Sequence, residues 1–334
     1  MSAADVISGI KERARAQRQT IALPETEDSR TYLAAAEILK EGFADIVLIG
    51  SRDQIAETAS RLHVQVDGAE IIDPADYPER SELEALVLEK RRHKGLSSDE
   101  AAALLKDRLY FAAALVASDR VGGLVAGAAH STAQVMRPAL QIVGPAEGVK
   151  TVSSYIAVLS PLKEFGSDGL LLYADAGVVP DPTPEQMAET ALITAETARK
   201  VYGIEPRVAM MSFSTKGSAS HPLVDKVRKA TEIAMQRAPD LLIDGEMQAD
   251  AALVSEVAAR KAPDSPVAGK ANILIFPDLN SGNLCYKVTE RLGAARAIGP
   301  LLQGLSRPVN DVSRGCSEAD IVGVVAVTAL AAGL

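Results

Sequence analysis

Tryptophan is absent from this chain, and aromatic residues together make up only 4% of it. Hydrophobic residues nevertheless reach 47%, so the cores must be built mainly from Ala, Val, Leu and Ile. Cores of that composition are typical of parallel sheets covered by helices on both faces. A length of 334 residues fits two domains or one large α/β unit.

Cysteine is scarce as well. Cys285 and Cys316 are the two cysteines, which excludes a disulfide framework, and no paired CxxC spacing indicates a metal site. No apolar run is long enough to span a bilayer, and residues 1–20 have the pattern of an amphipathic helix rather than a signal peptide. We therefore expect a soluble, cytoplasmic protein with reduced thiols, no metal and no membrane partner.

Positive charge is in short supply, because the formal net charge is −9. This balance argues against a nucleic-acid partner held by phosphate neutralisation. A local group of basic residues in such a chain suits a small anionic substrate, and the densest group is residues 91–94. The alternative is that these cations only interact favourably with the dipole at the C-terminal end of a helix over residues 83–93. That interaction is worth roughly a few tenths of a kcal/mol.

Strand-like and helix-like segments alternate from residue 20 onward. A strand at 20–24 is followed by a helix at 30–41 with Ser29 as its predicted cap, and the pattern then repeats. This rhythm predicts a parallel sheet with crossover helices. It restarts after residue 149 with a predicted hairpin of strands at 155–159 and 170–174.

The predicted fold is accordingly two α/β domains with a central cleft between them. The first domain is expected to combine residues 1–147 with residues 300–334, since the last stretch returns to it, and the second to span 148–299. The strand ends are rich in Ser, Thr, Asn, Asp and Gly, and ligands gather at the carboxyl ends of strands in open α/β sheets.

One such strand end lies in residues 122–132, a small-residue strand that runs into a polar turn. A turn of this kind lets backbone N–H groups approach an anion closely. It lacks the Gly-Lys-Ser/Thr ending of a Walker loop and the GxGxxG pattern of a dinucleotide site. His130 in this turn is either a candidate base or a hydrogen-bonded structural histidine.

A second chemistry-bearing stretch is residues 308–322. Ser313 and Arg314 precede a glycine turn, and Ser317 is placed to cap a helix that carries Asp320 in its first turn. A hydroxyl, a guanidinium and a carboxylate are thereby brought to the mouth of one helix, where they could hold a phosphate and accept a proton. The alternative is an ordinary capped helix with solvated charges.

Several long, ordered blocks resemble the phosphate acetyl/butyryl transferases, and the match runs through nearly the whole chain from Leu23 onward. The blocks are residues 127–132 with 137–141, 214–218, 244–250, 268–272, 276–280 and 309–317. The resemblance implies the reversible reaction acetyl-CoA + phosphate ⇌ CoA + acetyl phosphate. It also implies an isocitrate/isopropylmalate dehydrogenase-like fold, a homodimer, and CoA as substrate without any permanently bound cofactor.

The resemblance assigns the site residue by residue. The catalytic set falls on Asp320, Ser313 and Arg314, and the residues that bind phosphate and CoA are Arg137, Arg91, Arg291, Ser131 and Thr132. Arg92 could take the place of Arg91 after a one-residue slip.

The implied acetyl transfer needs a base for the CoA thiol, because a free thiol has a pKa of ~8.5. It also needs a hydrogen-bond donor for the oxyanion and guanidinium groups for the phosphate. Direct attack in a ternary complex is expected, and acylation of Cys316 is the alternative.

Three rival functions remain at this point. A phosphate butyryltransferase would differ in the width of its acyl pocket. A dehydrogenase would need a nicotinamide site and a set of metal-binding carboxylates. A non-catalytic regulatory domain of the kind fused to malic enzymes is disfavoured by the intact set of Ser313, Arg314 and Asp320.

Overall fold

The structure, a computed structural model, describes residues 3–334. They form two compact units, and helices pack against the sheet of each. The first unit comprises Ile7–Glu147 and Leu305–Leu334, and the second contains Gly148–Gly304. The predicted α/β class is confirmed. Within the described part of the chain, no helix combines the length and apolarity needed to cross a membrane.

Eleven strands are found among the described residues. In chain order they are β1 Thr20–Leu23, β2 Asp45–Ile49, β3 Glu70–Ile72, β4 Gly123–Ala126, β5 Ser153–Leu159, β6 Leu170–Ala174, β7 Arg207–Met211, β8 Leu242–Met247, β9 Ile273–Ile275, β10 Arg296–Gln303 and β11 Val309–Asp311.

The helices lie before, between and after these strands. They are α1 Ala3–Gln17, α2 Ser29–Glu41, α3 Arg52–Leu62, α4 Arg80–Arg91, α5 Ser98–Leu104, α6 Arg108–Ala117, α7 Thr132–Pro138, α8 Pro184–Lys200, α9 Pro222–Arg237, α10 Ala249–Leu253, α11 Ser255–Lys261, α12 Leu279–Leu292 and α13 Glu318–Ala332, with a 3-10 turn at Arg92–Lys94 and a π-helical segment at Ala139–Val143.

The first unit is built on a wholly parallel sheet in the order β11-β4-β1-β2-β3. Strand β11 reaches this sheet from the far end of the sequence and pairs with β4, with Asp311 opposite Ala126. The apolar run after residue 320 becomes α13, which is buried from Ile321 to Leu330 and packs against α2 and β4. The carboxyl ends of β11, β4 and β1 therefore lie side by side.

The N-caps of the helices test the caps predicted from the sequence, one of which is confirmed and one of which is wrong. Ser317 caps α13, as predicted, and Thr183 caps α8. The predicted cap Ser29 was wrong, because Ser29 is the first residue of α2 and Asp28 is the N-cap. Asp28 has the extended backbone of a cap and accepts a hydrogen bond from the Arg30 N–H, so it satisfies one of the unpaired amides of the first turn.

The second unit contains a mixed sheet in the order β10-β5-β6-β9-β7-β8. The predicted hairpin is confirmed, since β5 and β6 pair antiparallel, while β6, β9, β7 and β8 run parallel. Strand β10 pairs antiparallel with β5, and residues 300–304, expected in the first domain, belong to the second unit. Residues 3–6 at the start of α1 also group with that unit. The cleft between domains stays a prediction.

Candidate active site

The carboxyl ends of three neighbouring strands carry the polar residues of the first unit. Glu25 follows β1, residues 127–131 follow β4, and residues 312–317 follow β11. We call residues 25–30, 127–132 and 311–320 the strand-end cluster. Because parallel strands end on the same edge of a sheet, segments that are far apart in the sequence become neighbours there. This edge is where ligands bind in open α/β sheets.

Glu25 binds the backbone of the segment after β4. Its buried carboxylate accepts hydrogen bonds from the N–H groups of Ala128 (2.8 Å), Ala129 (3.1 Å) and His130 (3.0 Å). The amides of this turn do bind an anion, and in the structure it is the internal carboxylate of Glu25 from the adjacent strand end. The three contacts fix the shape of the segment that leads into α7.

His130 is tied to the same carboxylate. Its Nδ1 lies 2.8 Å from Oε1 of Glu25, and its side chain is partly exposed. The tautomer with the proton on Nδ1 donates to Glu25, which gives His130 the hydrogen-bonded structural position considered from the sequence. Its use as a base stays a prediction.

Thr132 is bonded to Asp311 at the end of β11. The Thr132 hydroxyl donates to Asp311 Oδ2 over 2.6 Å, while the buried Oδ1 has no hydrogen-bond partner among the described residues. Burial raises the pKa of Asp311 to about 7, against the opposing hydrogen bond from Thr132, and the negative charge of Glu25 adds to the increase. Gly127 has a φ of +111°, and a Cβ at that position would overlap Asp311 Oδ1, so this close approach requires glycine.

The segment between β11 and α13 presents the predicted catalytic set. Ser313 and Arg314 are exposed in a turn that the Cys316 N–H closes on the Ser313 carbonyl (2.8 Å). Ser317 donates to Asp320 Oδ2 from both its backbone N–H and its hydroxyl, each over 2.9 Å. The carboxylate of Asp320 is thus oriented at the first turn of α13 by a capping box.

Cys316 is buried within this segment, and burial raises the pKa of its thiol to about 11. The nearby positive charge of Arg30 opposes that increase, and the negative charge of Asp320 adds to it. At neutral pH the thiol stays protonated, and the thiolate is the nucleophilic form of cysteine.

Three arginines of the predicted site have side-chain donors that no described residue accepts. The side chains of Arg314 and Arg137 are exposed and make no hydrogen bond or ion pair with residues 3–334. Arg91 is half-buried, and its Nε is buried without a partner in the same range. In a chain of net charge −9, guanidinium groups without internal carboxylates are suited to an external anion.

Tyr110 indicates that two of these arginines are neighbours. Burial raises the pKa of Tyr110, and the positive charges of Arg137 and Arg91 both act to lower it. Its hydroxyl donates to the Gln141 side chain over 2.8 Å. Arg137 lies five residues beyond Thr132 in α7, about 7.5 Å along the helix axis at ~1.5 Å per residue. Within the first unit, α7 therefore runs from Thr132 to Arg137, and Arg137 lies near the basic residues at the end of α4.

Two of the predicted residues are bonded to neighbours in their own helices. Arg291 belongs to α12 of the second unit, where its side chain is 82% exposed and lies 3.6 Å from Glu290. Ser131 caps α7, and its hydroxyl donates to Gln134 Oε1 over 2.8 Å. The substrate-binding roles assigned to both residues stay predictions.

A cavity of about 480 Å³ elsewhere in the first unit is lined by none of the predicted site residues. Its wall includes Arg52, Asp73 and Arg120. Arg120 is paired with Glu82 over 2.6 Å and with Glu79, so its charge is already compensated. We favour the strand-end cluster as the site, because it contains the predicted residues Ser313, Arg314 and Asp320, whereas this cavity contains none of them.

Residue-level reasoning from the sequence missed four charged residues of the cluster: Glu25, Asp28, Arg30 and Asp311. The segment 25–28 reads only as a strand-to-helix loop, although an acidic residue directly after a strand is a usable signal. The position of Asp311 at the end of a short strand is another. Neither signal reveals the partner, since the partners lie on strands that neighbour each other only in the folded sheet.

A family model described as "Phosphate acetyl/butaryl transferase" matches residues 5–329. A phosphate acetyltransferase of Thermoanaerobacterium thermosaccharolyticum is 51% identical over 98% of this chain and 99% of its own length. One from Clostridium acetobutylicum is 48% identical over 98% of each chain.

Two solved structures are similar over almost their whole length. A phosphotransacetylase from Streptococcus pyogenes gives a TM-score of 0.93 with 41% identity and 99% coverage of both chains. A EutD phosphotransacetylase from Staphylococcus aureus gives 0.91 with 37% identity and 98% coverage of both. The resemblance seen in the sequence blocks is confirmed, and the chain belongs to the phosphate acetyl/butyryl transferase family.

Proposed function

We propose that this protein is a phosphate acetyltransferase that transfers acetyl reversibly between coenzyme A and phosphate. The names of relatives 46–51% identical over nearly the full chain support this activity. The structural observation that carries the proposal is the junction of β11 and α13. There an exposed serine and an uncompensated arginine lie within seven residues of an oriented aspartate. CoA, acetyl phosphate and phosphate are the proposed partners.

Asp320 is proposed as the base that takes the proton from the CoA thiol. A free thiol has a pKa near ~8.5, so a positioned carboxylate increases the thiolate fraction at neutral pH. The two hydrogen bonds from Ser317 hold Oδ2 of Asp320 and orient the group. The thiolate then attacks the carbonyl carbon of acetyl phosphate, and the bond from that carbon to the bridging oxygen breaks to release phosphate.

Ser313 is proposed to donate to the oxygen that becomes negative during this attack. Such a donor is typically worth about 3 kcal/mol. Arg314 and Arg137 are proposed to bind the phosphate, since a guanidinium can form two parallel hydrogen bonds to it. Arg91 fits the same task better than Arg92, because its Nε is buried without a partner among the described residues and its charge acts on Tyr110. Ser131, Thr132 and Arg291 complete the proposed substrate contacts.

Transfer is proposed to be direct, without an acyl-enzyme on Cys316. The raised pKa of this buried thiol leaves little thiolate at neutral pH. We therefore expect Cys316→Ser to keep kcat within about threefold of the parent, because the residue forms no covalent intermediate. A loss as severe as that of an Asp320 variant would support the ping-pong route instead.

The direct test measures thiol release from acetyl-CoA with and without phosphate. We expect phosphate-dependent release by the parent, and a decrease of about 100-fold or more in kcat for Asp320→Asn and Arg314→Ala. Matched controls are Glu318→Gln, in the same turn of α13, and Arg52→Ala at the start of α3, both exposed. Circular dichroism and thermal melts confirm that each variant folds.

An inactive parent would overturn the proposal, as would controls that lose as much activity as the site variants. Assays with propionyl-CoA and butyryl-CoA in the same format decide the acyl preference. A higher kcat/KM for butyryl-CoA would reassign the protein to butyryl transfer.

We also propose a homodimer. Leu284, Val288 and Leu292 on α12 are 63%, 55% and 84% exposed and recur every four residues, so they form one apolar stripe. A second copy of the chain is the proposed partner for this stripe. The cytoplasmic location stays a prediction, supported by two free cysteines among the described residues.

A further inference from the structure

Arg30, in the first turn of α2, bonds to two separate segments of the candidate site. Its Nη1 donates to the carbonyl oxygens of Arg314 (2.9 Å) and Cys316 (2.7 Å). Its Nη2 donates to the carbonyl oxygen of Ala128 over 2.8 Å. One side chain therefore joins the segment after β11 to the segment after β4.

Asp28 holds the guanidinium of Arg30 in the required plane. Nε of Arg30 donates to Asp28 Oδ1 over 2.9 Å, and Nη2 donates to Oδ2 over 2.6 Å. The pair lowers the pKa of the Asp28 carboxyl and raises that of Arg30, so both groups stay charged at neutral pH. Asp28 is itself fixed as the N-cap of α2.

All five N–H donors of Arg30 are used within the protein. One on Nε and one on Nη2 bind Asp28, two on Nη1 bind Arg314 and Cys316, and the last binds Ala128. Arg30 therefore has no donor left for a phosphate, unlike Arg314 and Arg137. Lysine has three donors on one atom and cannot reproduce this set.

The carbonyls that Arg30 binds control the direction of the proposed catalytic side chains. The Arg314 and Cys316 carbonyls belong to the turn that presents Ser313 and Arg314, whose side chains are exposed. The Ala128 carbonyl belongs to the segment that Glu25 holds by its amides. Binding both segments to one rigid, planar group sets the distance from Ser313 and Arg314 to Thr132 and α7.

We propose that Arg30 is a positioning residue for phosphate, oriented by Asp28. It touches no substrate; it holds the Ser313–Arg314 turn against the segment after β4 so that the uncompensated Arg314 meets the phosphate in the correct place. This inference rests on the proposed function. A misplacement of about 1 Å in such a site can cost on the order of 100-fold in rate.

The test compares Arg30→Lys with Arg80→Lys in the thiol-release assay. Arg80 is a matched control in the same unit, since its side chain has a similar exposure, pairs with Glu84, and donates to the carbonyls of Pro74 and Ala102. We expect Arg30→Lys to lower kcat/KM for phosphate by about 50- to 100-fold, with the KM for CoA unchanged within about twofold. Arg80→Lys should lose comparable thermal stability but keep both constants.

Asp28→Asn provides a second variant in case Arg30→Lys does not fold. Asparagine is as good an N-cap as aspartate, so α2 is retained while the ionic pairing with Arg30 is lost. We expect about a 5- to 10-fold decrease in kcat/KM for phosphate, again without a change in the KM for CoA.

The outcomes separate this inference from the proposed function. An active parent with unchanged phosphate kinetics in the Arg30 and Asp28 variants would overturn the positioning role alone. So would equal losses of activity in Arg30→Lys and Arg80→Lys. An inactive parent would overturn the proposed function and this inference together.

Discussion

The two buried carboxylates at the strand ends, Glu25 and Asp311, differ in how they are satisfied. Glu25 accepts hydrogen bonds from three backbone amides and faces Nδ1 of His130. Asp311 has Thr132 on one oxygen and no partner among the described residues on the other. A buried carboxylate without compensating donors is costly in its charged form, which is why burial raises the pKa of Asp311 to about 7.

This raised pKa makes the stability of the protein depend on pH. In the unfolded chain the carboxyl has a pKa near ~3.9, so the folded state binds its proton more tightly. The stabilisation is complete below that value and is lost as pH rises through about 7. At about 1.4 kcal/mol per pKa unit, the change amounts to a few kcal/mol.

We predict that Asp311→Asn removes this part of the pH dependence. Between pH 5 and pH 8 the free energy of unfolding of the parent should fall relative to that of the variant, as measured by urea unfolding at each pH. Asp264→Asn, at an exposed loop position, is the control and should run parallel to the parent. If Asp311→Asn also ran parallel, Asp311 would be ionised in the folded protein throughout this range.

At the scale of single elements, the start of α13 combines two tasks. Ser317 caps the helix, and the same hydrogen bonds orient Asp320. Local sequence was sufficient to predict this cap. When an acidic residue stands three positions after a serine, each of the two side chains can bond the backbone N–H of the other residue. It failed for α2, where two possible caps stand next to each other and the structure uses Asp28 rather than Ser29.

We predict that Ser317→Ala lowers both stability and activity. Loss of the cap should cost about 1 kcal/mol in the free energy of unfolding. The kcat should fall because Asp320 loses one of the two donors that orient it. The matched control is Ser97→Ala, since Ser97 forms the same capping box with Glu100 at the start of α5. That control should lose similar stability and no activity. Equal losses of activity in Ser317→Ala and Ser97→Ala would contradict the orienting role of Ser317.

At the scale of the whole molecule, the apolar stripe on α12 makes the proposed assembly testable. We predict that Val288→Glu, in the middle of the apolar stripe, converts the proposed homodimer to a monomer. A charge buried at an interface without a partner is strongly unfavourable. Light scattering after size exclusion should then give the 35.1 kDa chain mass for the variant and twice that mass for the parent.

The control for this experiment is Leu223→Glu, an exposed residue at the start of α9. It should leave the mass of the parent unchanged. A monomeric parent, or a Val288→Glu variant that remains a dimer, would contradict the proposed use of this face.

The sequence by itself determined the α/β class, most strands and helices, the cap of α13, and the family. Each of these depends on local periodicity, on residues a few positions apart or on long ordered blocks. Only the tertiary structure decided the sheet order β11-β4-β1, which brings residues 25, 128, 311 and 314 to one edge. It also decided that Glu25 occupies the amides after β4 and that Arg30 uses all five donors within the protein. Such contacts depend on which strands become neighbours, and that choice is made by packing across the whole unit rather than by any local pattern.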